Sequence, residues 1–419
     1  MARVVVLGGG FGGAYAAQVL SGKKQCELTV LDRNNFLLFY PLLVEAGVGA
    51  LEPRHVVVPL RLFMPNADFK MAEVQSVDLS GQRVQYQVFG SSETTEIGYD
   101  HLILALGSIT RIPDLPGLRE YGFEFKSLTD AVDLRDRGIR LLELANTVSD
   151  EKLRRDILRH VVVGANFTGI EFAGEYHAFL CEASEHYQNV EAHEIEMIVL
   201  EHGKHILPAV RPDLSEWAER TLTKRGVDIR PQTTITEVGE DWARLTTGER
   251  LATRTVVWAA GIAPNPLIAK IEGLPLNEKG YIDCDGDLRV RGLSNVWAVG
   301  DCATVYDASG KPYAATAQSA SRQGPLAAKN ILAVLDGKET KRFTFKPLGA
   351  YAAIGRRAAA AEVLGHSVKG FFGWFLYRGT YLAKMPTVAM KIRIAVDWAL
   401  ELILKSPIVQ LGVHRPRRD

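Results

Sequence analysis

One hydrophobic rhythm occurs twice along this chain. In the first copy a β-branched run, Arg3-Val-Val-Val-Leu7, gives way to Gly8-Gly9-Gly10-Phe11-Gly12-Gly13 and then to Ala14-Tyr15-Ala16-Ala17-Gln18-Val19-Leu20. In the second, His160-Val-Val-Val163 leads into Gly164-Ala165-Asn166-Phe167-Thr168-Gly169 and then Ile170-Glu171-Phe172-Ala173-Gly174. Each reads as strand, tight turn, helix. Each is followed by another apolar strand that ends in an acid, Glu27-Leu-Thr-Val-Leu-Asp32 and Glu196-Met-Ile-Val-Leu-Glu201. Two βαβ mononucleotide units on parallel sheets are therefore predicted. Three shorter apolar runs end in small residues at Gly107, Gly261 and Gly300-Asp301, where a buried strand delivers a glycine and lets backbone approach a flat ligand.

The second unit reads as inserted into the first, whose last strand is 295–300. Seams are expected where Pro, Gly and polar residues cluster, near 113–126 and near 280. This gives a first nucleotide-binding domain of residues 1–115 and 281–340, an inserted second domain of 116–280, and a C-terminal region of 341–419.

The 419 residues are 47% hydrophobic and 23% charged, enough apolar surface for a packed core and too much for disorder. Lys+Arg and Asp+Glu each total 49, which leaves no net drive toward a phosphate backbone and counts against nucleic-acid binding. Residues 369–419 nevertheless carry nine Lys/Arg against three Asp/Glu, a net of +6, so the remainder holds 40 against 46, or −6. Cys26, Cys181, Cys284 and Cys302 lie far apart without a C-x-x-C, so no disulfide framework, dithiol centre or metal site is expected and the chain reads as intracellular. A strand at the first seven residues leaves no room for a signal peptide, and no uncharged apolar stretch is long enough to span a bilayer.

In Gly8-x-Gly10-x-x-Gly13 the first glycine permits the turn, the second admits a pyrophosphate, and the third lets helix and strand pack. Asp32 is placed to accept hydrogen bonds from ribose hydroxyls. The second motif keeps Gly164 and Gly169 but has Asn166 at the position of closest pyrophosphate approach; Asn tolerates positive φ, so the turn is expected to form. Glu201 suits a free 2′-hydroxyl and repels a 2′-phosphate, favouring NADH over NADPH. With two such units, one is expected to hold a flavin and the other a nicotinamide.

Residues 1–65, with Asp32-Arg-Asn-Asn-Phe-Leu-Leu-Phe-Tyr-Pro-Leu-Leu43, resemble the flavin half of the type II NADH dehydrogenases, single-subunit NADH:quinone oxidoreductases. Val163-Gly-Ala-Asn-Phe-Thr-Gly-Ile-Glu-Phe-Ala-Gly-Glu175, Trp258-Ala-Ala-Gly261, Ala298-Val-Gly-Asp-Cys-Ala303, Thr316-Ala-Gln-Ser-Ala-Ser-Arg-Gln-Gly324 and Gly349-x4-Ile354-Gly-Arg356 are similar to the family in the same order. The resemblance implies an α/β fold of two Rossmann-like domains, glutathione-reductase-like, with a C-terminal helical segment that associates with a membrane. It implies FAD contacts from Gly8, Gly10, Gly13, Asp32, Arg33, Val74 (through its backbone, to adenine), Gly107, Asp301, Ala317 and Gln318. For NADH it implies Gly164, Asn166, Gly169, Glu171, Glu201, Ala260 and Gly261. Asp301 reads alternatively as a helix N-cap.

Glu171, placed on the first turn of its helix, either complements the helix dipole or contacts substrate and delivers protons as the resemblance implies. Quinone contacts are implied for Gln318, Arg322 and Ile354. Where the family carries a second glutamine, this chain has Arg322, with Gln323 adjacent; a guanidinium suits a quinone carbonyl or quinol anion, or else is simply solvated. Cys302 is read as structural.

The tail is aromatic-dense over Gly370–Tyr381, and Arg393, Asp397, Glu401 and Lys405 recur at every fourth residue, a charged stripe. Val388, Ile392, Ala395, Ala399, Leu402 and Ile403 fill much of the rest. Such a helix suits a bilayer surface, with Lys391, Arg415, Arg417 and Arg418 near anionic lipid, or else packs on the protein itself. The resulting expectation is a peripheral membrane enzyme on the cytoplasmic face, a homodimer being compatible, that takes hydride from NADH onto FAD and reduces a membrane quinone. A soluble flavin reductase serving a small carrier protein, and a redox-inert FAD-binding scaffold, are the alternatives.

Overall fold

The computed structural model describes residues 1–347 and 349–412, which form two compact units. The first comprises Met1–Leu38, Val57–Ile109 and Ile262–Pro347; the second comprises Phe39–Val56, Thr110–Gly261 and Leu348–Asp419. The chain thus crosses between units at 109/110 and 261/262, 6 and 19 residues before the seams expected at 115/116 and 280/281. Residues 39–56 and the C-terminal region group with the second nucleotide-binding unit.

The first unit is built on a sheet in the order Val296–Ala298, His101–Leu104, Ala2–Leu7, Cys26–Asp32, Asp68–Asp78, Arg83–Val88, Thr94–Gly98. Its first five strands are parallel and the last two are antiparallel. Val4, Val5, Val6 and Leu7 are fully buried, as expected of a central strand covered on both faces. The helix Phe11–Leu20 crosses the helix Ala317–Leu335 so closely that a Cβ on Gly324 would lie 2.1 Å from the Gly12 carbonyl oxygen.

The second unit carries a five-stranded parallel sheet in the order Gly122–Glu124, Thr255–Trp258, Arg159–Val163, Glu196–Glu201, Val227–Pro231. Val161, Val163, Ile198, Leu200 and Val256 share one core with Ile235, Val238, Ala243 and Leu245 from a small antiparallel sheet. The helix Leu128–Asn146 starts at a capping box formed by Ser127 and Asp130. An antiparallel three-stranded sheet, Gly349–Ala353, Ala359–Val363 and His366–Lys369, leads into the helices Gly370–Lys384 and Val388–Glu401. No described helix is long and apolar enough to cross a membrane.

Candidate functional site

In the first unit the strand Ala2–Leu7 ends at Gly8, whose φ of +107° and crowded Cβ position, 2.2 Å from the Ala105 carbonyl oxygen, admit no side chain. Gly13 faces back onto the turn, and a Cβ there would sit 1.8 Å from the Gly8 carbonyl oxygen. Around Gly10, by contrast, a Cβ would meet nothing within 4 Å. That open space lies at the N-cap of the helix Phe11–Leu20, where unpaired amides and the positive dipole end favour a phosphate. Asp32 closes the turn by accepting from the Gly9 amide at 2.5 Å and the Asn34 amide at 2.6 Å. Burial pushes its carboxyl up, against the lowering effect of those two amides. Each oxygen keeps acceptor capacity for a ribose hydroxyl, and Arg33 lies exposed beside it.

The second unit repeats the device. Gly164 has φ +104° with Ala260 pressed against it, and a Cβ on Gly169 would again fall 1.8 Å from the first glycine's carbonyl oxygen. Glu201 accepts from the Ala165 amide at 2.7 Å and the Gly203 amide at 2.6 Å, as Asp32 does in its own turn. The turn at Asn166 forms, and without the positive φ that Asn tolerates. The residue is extended at φ −76°, ψ −173°, close to Gly10 at −71°, −171°. Its side chain caps the helix Phe167–Ser184, accepting from the Gly169 amide at 3.1 Å and donating to the Ala259 carbonyl at 2.7 Å. The amide thus lies along the turn and serves as an N-cap, which a glycine cannot do. The neighbouring Ala260-Gly261 segment is pinned by the Trp258 indole, which donates to the Ala260 and Arg111 carbonyls at 2.9 and 2.8 Å.

Glu171 sits on the second turn of its helix, beyond the reach of the N-terminal dipole that a first-turn position would have used; no acid occupies that first turn. It accepts from the Ala353 amide at 3.1 Å, and burial together with repulsion from Glu175 pushes its pKa up to about 8. One helical turn on, Glu175 takes the amide of Gly355 and is pushed up to about 7, chiefly by burial and then by Glu45. Sequence reasoning missed Glu175 and Glu45; the i, i+4 spacing of Glu171 and Glu175 was the available signal for the first. Glu45, on the short helix Leu43–Gly47, accepts from the Trp398 indole at 2.5 Å and from Arg378 at 3.3 Å, and Arg378 also binds Glu401 at 2.9 Å. The guanidinium lies between the rings of Trp374 and Trp398, 4.2 and 4.9 Å from their centroids.

A family model for pyridine nucleotide-disulphide oxidoreductases matches residues 2–324. A probable NADH dehydrogenase of Dictyostelium discoideum is 32% identical over 97% of this chain and 90% of its own length. The chain belongs to the type II NADH dehydrogenase family. Among other relatives, a demethylphylloquinone reductase of Synechocystis is 30% identical over 94% of this chain and 95% of its own. The type II NADH:quinone oxidoreductase Ndh of Mycobacterium tuberculosis is 28% identical, over 96% and 88%. In fold, the chain is similar to NDH2 from Plasmodium falciparum solved with NADH, at a TM-score of 0.91 and 18% identity, covering 97% of this chain and 99% of that one.

The remaining residues implied by the resemblance to type II NADH dehydrogenases fall as follows. Asp301 lies inside the 3₁₀ turn Gly300–Cys302, whose N-cap is Val299, so it is not the N-cap of that turn, and it accepts from the Ser108 hydroxyl at 3.1 Å. Gly107 holds φ +65° with open space around it. Val74 pairs with Tyr86 and adjoins a β-bulge at Gln75, where main-chain groups leave the ladder. Ala317 and Gln318 open the helix capped by Thr316, and Arg322 donates to the Gln318 carbonyl at 2.8 Å while lying 4.6 Å from the Phe345 ring centroid. Arg322 is therefore held against its helix rather than freely solvated. Gln323 is committed elsewhere, accepting from the Gly300 amide at 2.8 Å. Ile354 is wholly buried in the second unit, its backbone against Gly174 and its carbonyl accepting from Arg225 at 2.8 Å. The four cysteines are free and buried, and burial pushes the Cys302 thiol up to about 11, so it is a poor nucleophile.

The terminal helices leave the predicted apolar positions Val388, Ile392, Ala395, Ala399, Leu402 and Ile403 outward. Asp397 accepts from His55 at 2.5 Å and from the Glu52 amide at 3.1 Å, Glu401 binds Arg378, and Lys405 binds Glu185 at 2.5 Å. Asp397 and Glu401 of the predicted charged stripe therefore turn inward, while the Lys405–Glu185 pair stays exposed. What faces out is hydrocarbon: Ile392, Val396 and Leu400 are 60, 51 and 50% exposed, with Phe371, Phe372 and Phe375 exposed on the preceding helix. Arg415, Arg417 and Arg418 lie outside the described residues.

Proposed function

We propose that this chain oxidises NADH and reduces a quinone, holding FAD at the 8–13 turn and NADH at the 164–169 turn. The observation that carries this reading is the repetition of one nucleotide-binding lock, with an acid in both cases catching the amide of the residue after the first glycine. FAD, when bound, accepts a hydride from NADH and passes two electrons to the quinone.

The chain's own residues position and protonate. Gly10 leaves room for a pyrophosphate, Asp32 and Asp301 offer carboxylates to ribose and ribityl hydroxyls, and the bulge beside Val74 offers main-chain groups to adenine. Ala260 and Gly261 border the second turn, where Glu201 faces the nucleotide's ribose. The balance NADH + H⁺ + quinone → NAD⁺ + quinol draws one proton that NADH does not carry, and Glu171, protonated at neutral pH, is the proposed donor. Gln318 and Arg322 are the proposed quinone neighbours, Arg322 offering a guanidinium to an acceptor oxygen. The relatives named for demethylphylloquinone and ubiquinone support a quinone acceptor.

Anaerobic mixing of the flavin-loaded protein with NADH should bleach it, and a quinone added next should restore the colour. A flavin that stays yellow for many minutes with NADH overturns the reading. Glu201→Ala should raise the KM for NADH about tenfold and narrow its preference over NADPH by a similar factor, the loss of one charge-assisted hydrogen bond to ribose. Unchanged discrimination would remove Glu201 from that role.

The outward hydrocarbon of the terminal helices, with Lys384 and Lys391 nearby, supports attachment to an anionic membrane surface, proposed as the cytoplasmic face. Ile392→Asp combined with Leu400→Asp should weaken sedimentation with phosphatidylglycerol vesicles at least tenfold, since each buried aliphatic side chain contributes about 1.5–3 kcal/mol. Pairing of two copies through the same face would instead show as a change of sedimentation coefficient without lipid.

A further inference from the structure

The buried acids of the second unit outnumber their cation. Glu45, Glu175 and the partly exposed Glu401 gather around Arg378, with Glu171 one helical turn from Glu175, and one guanidinium does not offset that many carboxylates in a protein interior. The spare acids must hold protons. Their arrangement is ordered rather than crowded. Glu171 and Glu175 stand one above the other on a helix face, and each takes a main-chain amide from one short segment, Ala353 and Gly355. That segment is fixed from the other side by Arg225, which donates to the carbonyls of Ile354 and Gly355. Glu45 repels both acids, and beyond Arg378 the partly exposed Glu401 brings the row to the solvent edge of the terminal helix.

We infer that Glu175 is the positioning acid that returns a proton to Glu171 after each turnover, with Glu45 and Glu401 behind it toward solvent. The inference rests on the proposed quinone reductase reading. When Glu171 has given its proton to the acceptor it is a carboxylate; the O–H bond of Glu175 breaks, the proton passes to Glu171, and Glu175 is recharged by one proton from water. No electron moves in this step. Glu175 is faced by Glu171 on its own helix, by Glu45 on the Leu43–Gly47 helix, by Arg378 and Tyr377 on the aromatic helix, by Glu401 on the terminal helix and by Arg225 at the end of Pro212–Lys224. Arg378 in this ring is ion-paired with Glu45 and Glu401. Among the described residues no guanidinium is bound to Glu175, which lies one helical turn from Glu171 and is able to keep its proton beside it.

The test uses the FAD-loaded full chain carrying Glu175→Gln. Bleaching by NADH should proceed at the parent rate. Steady-state quinone reduction should fall tenfold or more in kcat with little change in the KM for quinone, the solvent deuterium isotope effect on kcat should rise, and the fall of kcat above neutral pH should change shape. Glu175→Asp should recover most of the rate, which separates relay from folding, and a Gln variant that fails to fold leaves the Asp variant's pH profile and isotope effect to decide. A Glu175→Gln protein with parent kcat, isotope effect and pH profile overturns the inference. Loss of NADH bleaching in the parent itself would overturn the quinone reductase reading instead, so the two failures are distinguishable.

Discussion

Gly13→Ala yields a colourless protein. A methyl group at this position would have to occupy space 1.8 Å from the Gly8 carbonyl oxygen and 3.1 Å from the Ala105 side chain, and backbone rather than a flexible side chain must give way. Gly8 cannot retreat, because its own φ of +107° and the Ala105 carbonyl behind it already fix the turn. Overpacking of this kind costs about 1–3 kcal/mol where neighbours can adjust, and more here, where the neighbour is the turn itself. The expected result is flavin absorbance per mole of protein reduced more than tenfold, with a lower melting temperature. Gly10→Ala is the informative contrast. Nothing lies within 4 Å of its added methyl and its φ of −71° suits any residue, so the flavin-free protein should melt at the parent temperature while its affinity for FAD drops at least tenfold. Retention of flavin by Gly10→Ala at parent affinity would show that the open space beside Gly10 is not where the pyrophosphate lies.

Arg378→Ala should be the most destabilising single change in the second unit. It strips the cation from between Glu45 and Glu401 and leaves the Trp374 and Trp398 rings around a void. Breaking a buried ion pair from one side costs about 3–5 kcal/mol, because the other charge stays behind without a partner. The pH dependence follows from the direction of the shifts. Glu171 and Glu175 titrate near 8 and 7 in the folded protein, above their free values, and Glu45 is also raised. A carboxyl raised on folding favours the fold below its free pKa and loses that contribution as pH rises through the folded value. Parent stability should therefore decline between about pH 5 and pH 8 on account of this cluster. Without Arg378 the carboxyl of Glu45 rises further, so the gap between variant and parent should be small near pH 5 and widest above pH 8. A gap in melting temperature that is constant across that range would mean that lost packing, not exposed charge, accounts for the defect. Arg378→Lys should recover only part of the loss, since one ammonium cannot fork to two carboxylates.

The nucleotide turns were legible because their causes are local. The order of strand, glycines and helix, and an acid at the end of the next strand, are all written within some thirty residues, and Asp32 and Glu201 bind the amides those positions imply. The turn at Asn166 was legible, but its capping role was not: counting motif positions does not give dihedral angles, and the residue before a helix wants extended backbone and a side-chain acceptor, both of which Asn supplies. The acid cluster was mostly hidden. Its members come from residues 45, 171, 175, 378 and 401, and only the pair on one helix has a spacing that sequence can reveal. The terminal helix shows the same limit. Periodicity grouped Arg393, Asp397, Glu401 and Lys405 on one stripe, but which of them face inward depends on His55 and Arg378, contributed by distant segments. Alternation identifies faces; it does not say what waits on either side of them.

Both glycine turns take their final shape from contacts within the polypeptide alone, each acid clasping its loop and each third glycine seated on the first. A dinucleotide arriving at either turn meets a mould that is already set. Little chain entropy remains to be lost on binding, so tightness at each station depends on the surroundings of the phosphates and ribose and not on closure of a floppy loop. The same rigidity leaves the two stations free to differ widely in how long they keep their guests, one as a lasting resident and the other as a passing visitor, without any change in the design of the turn.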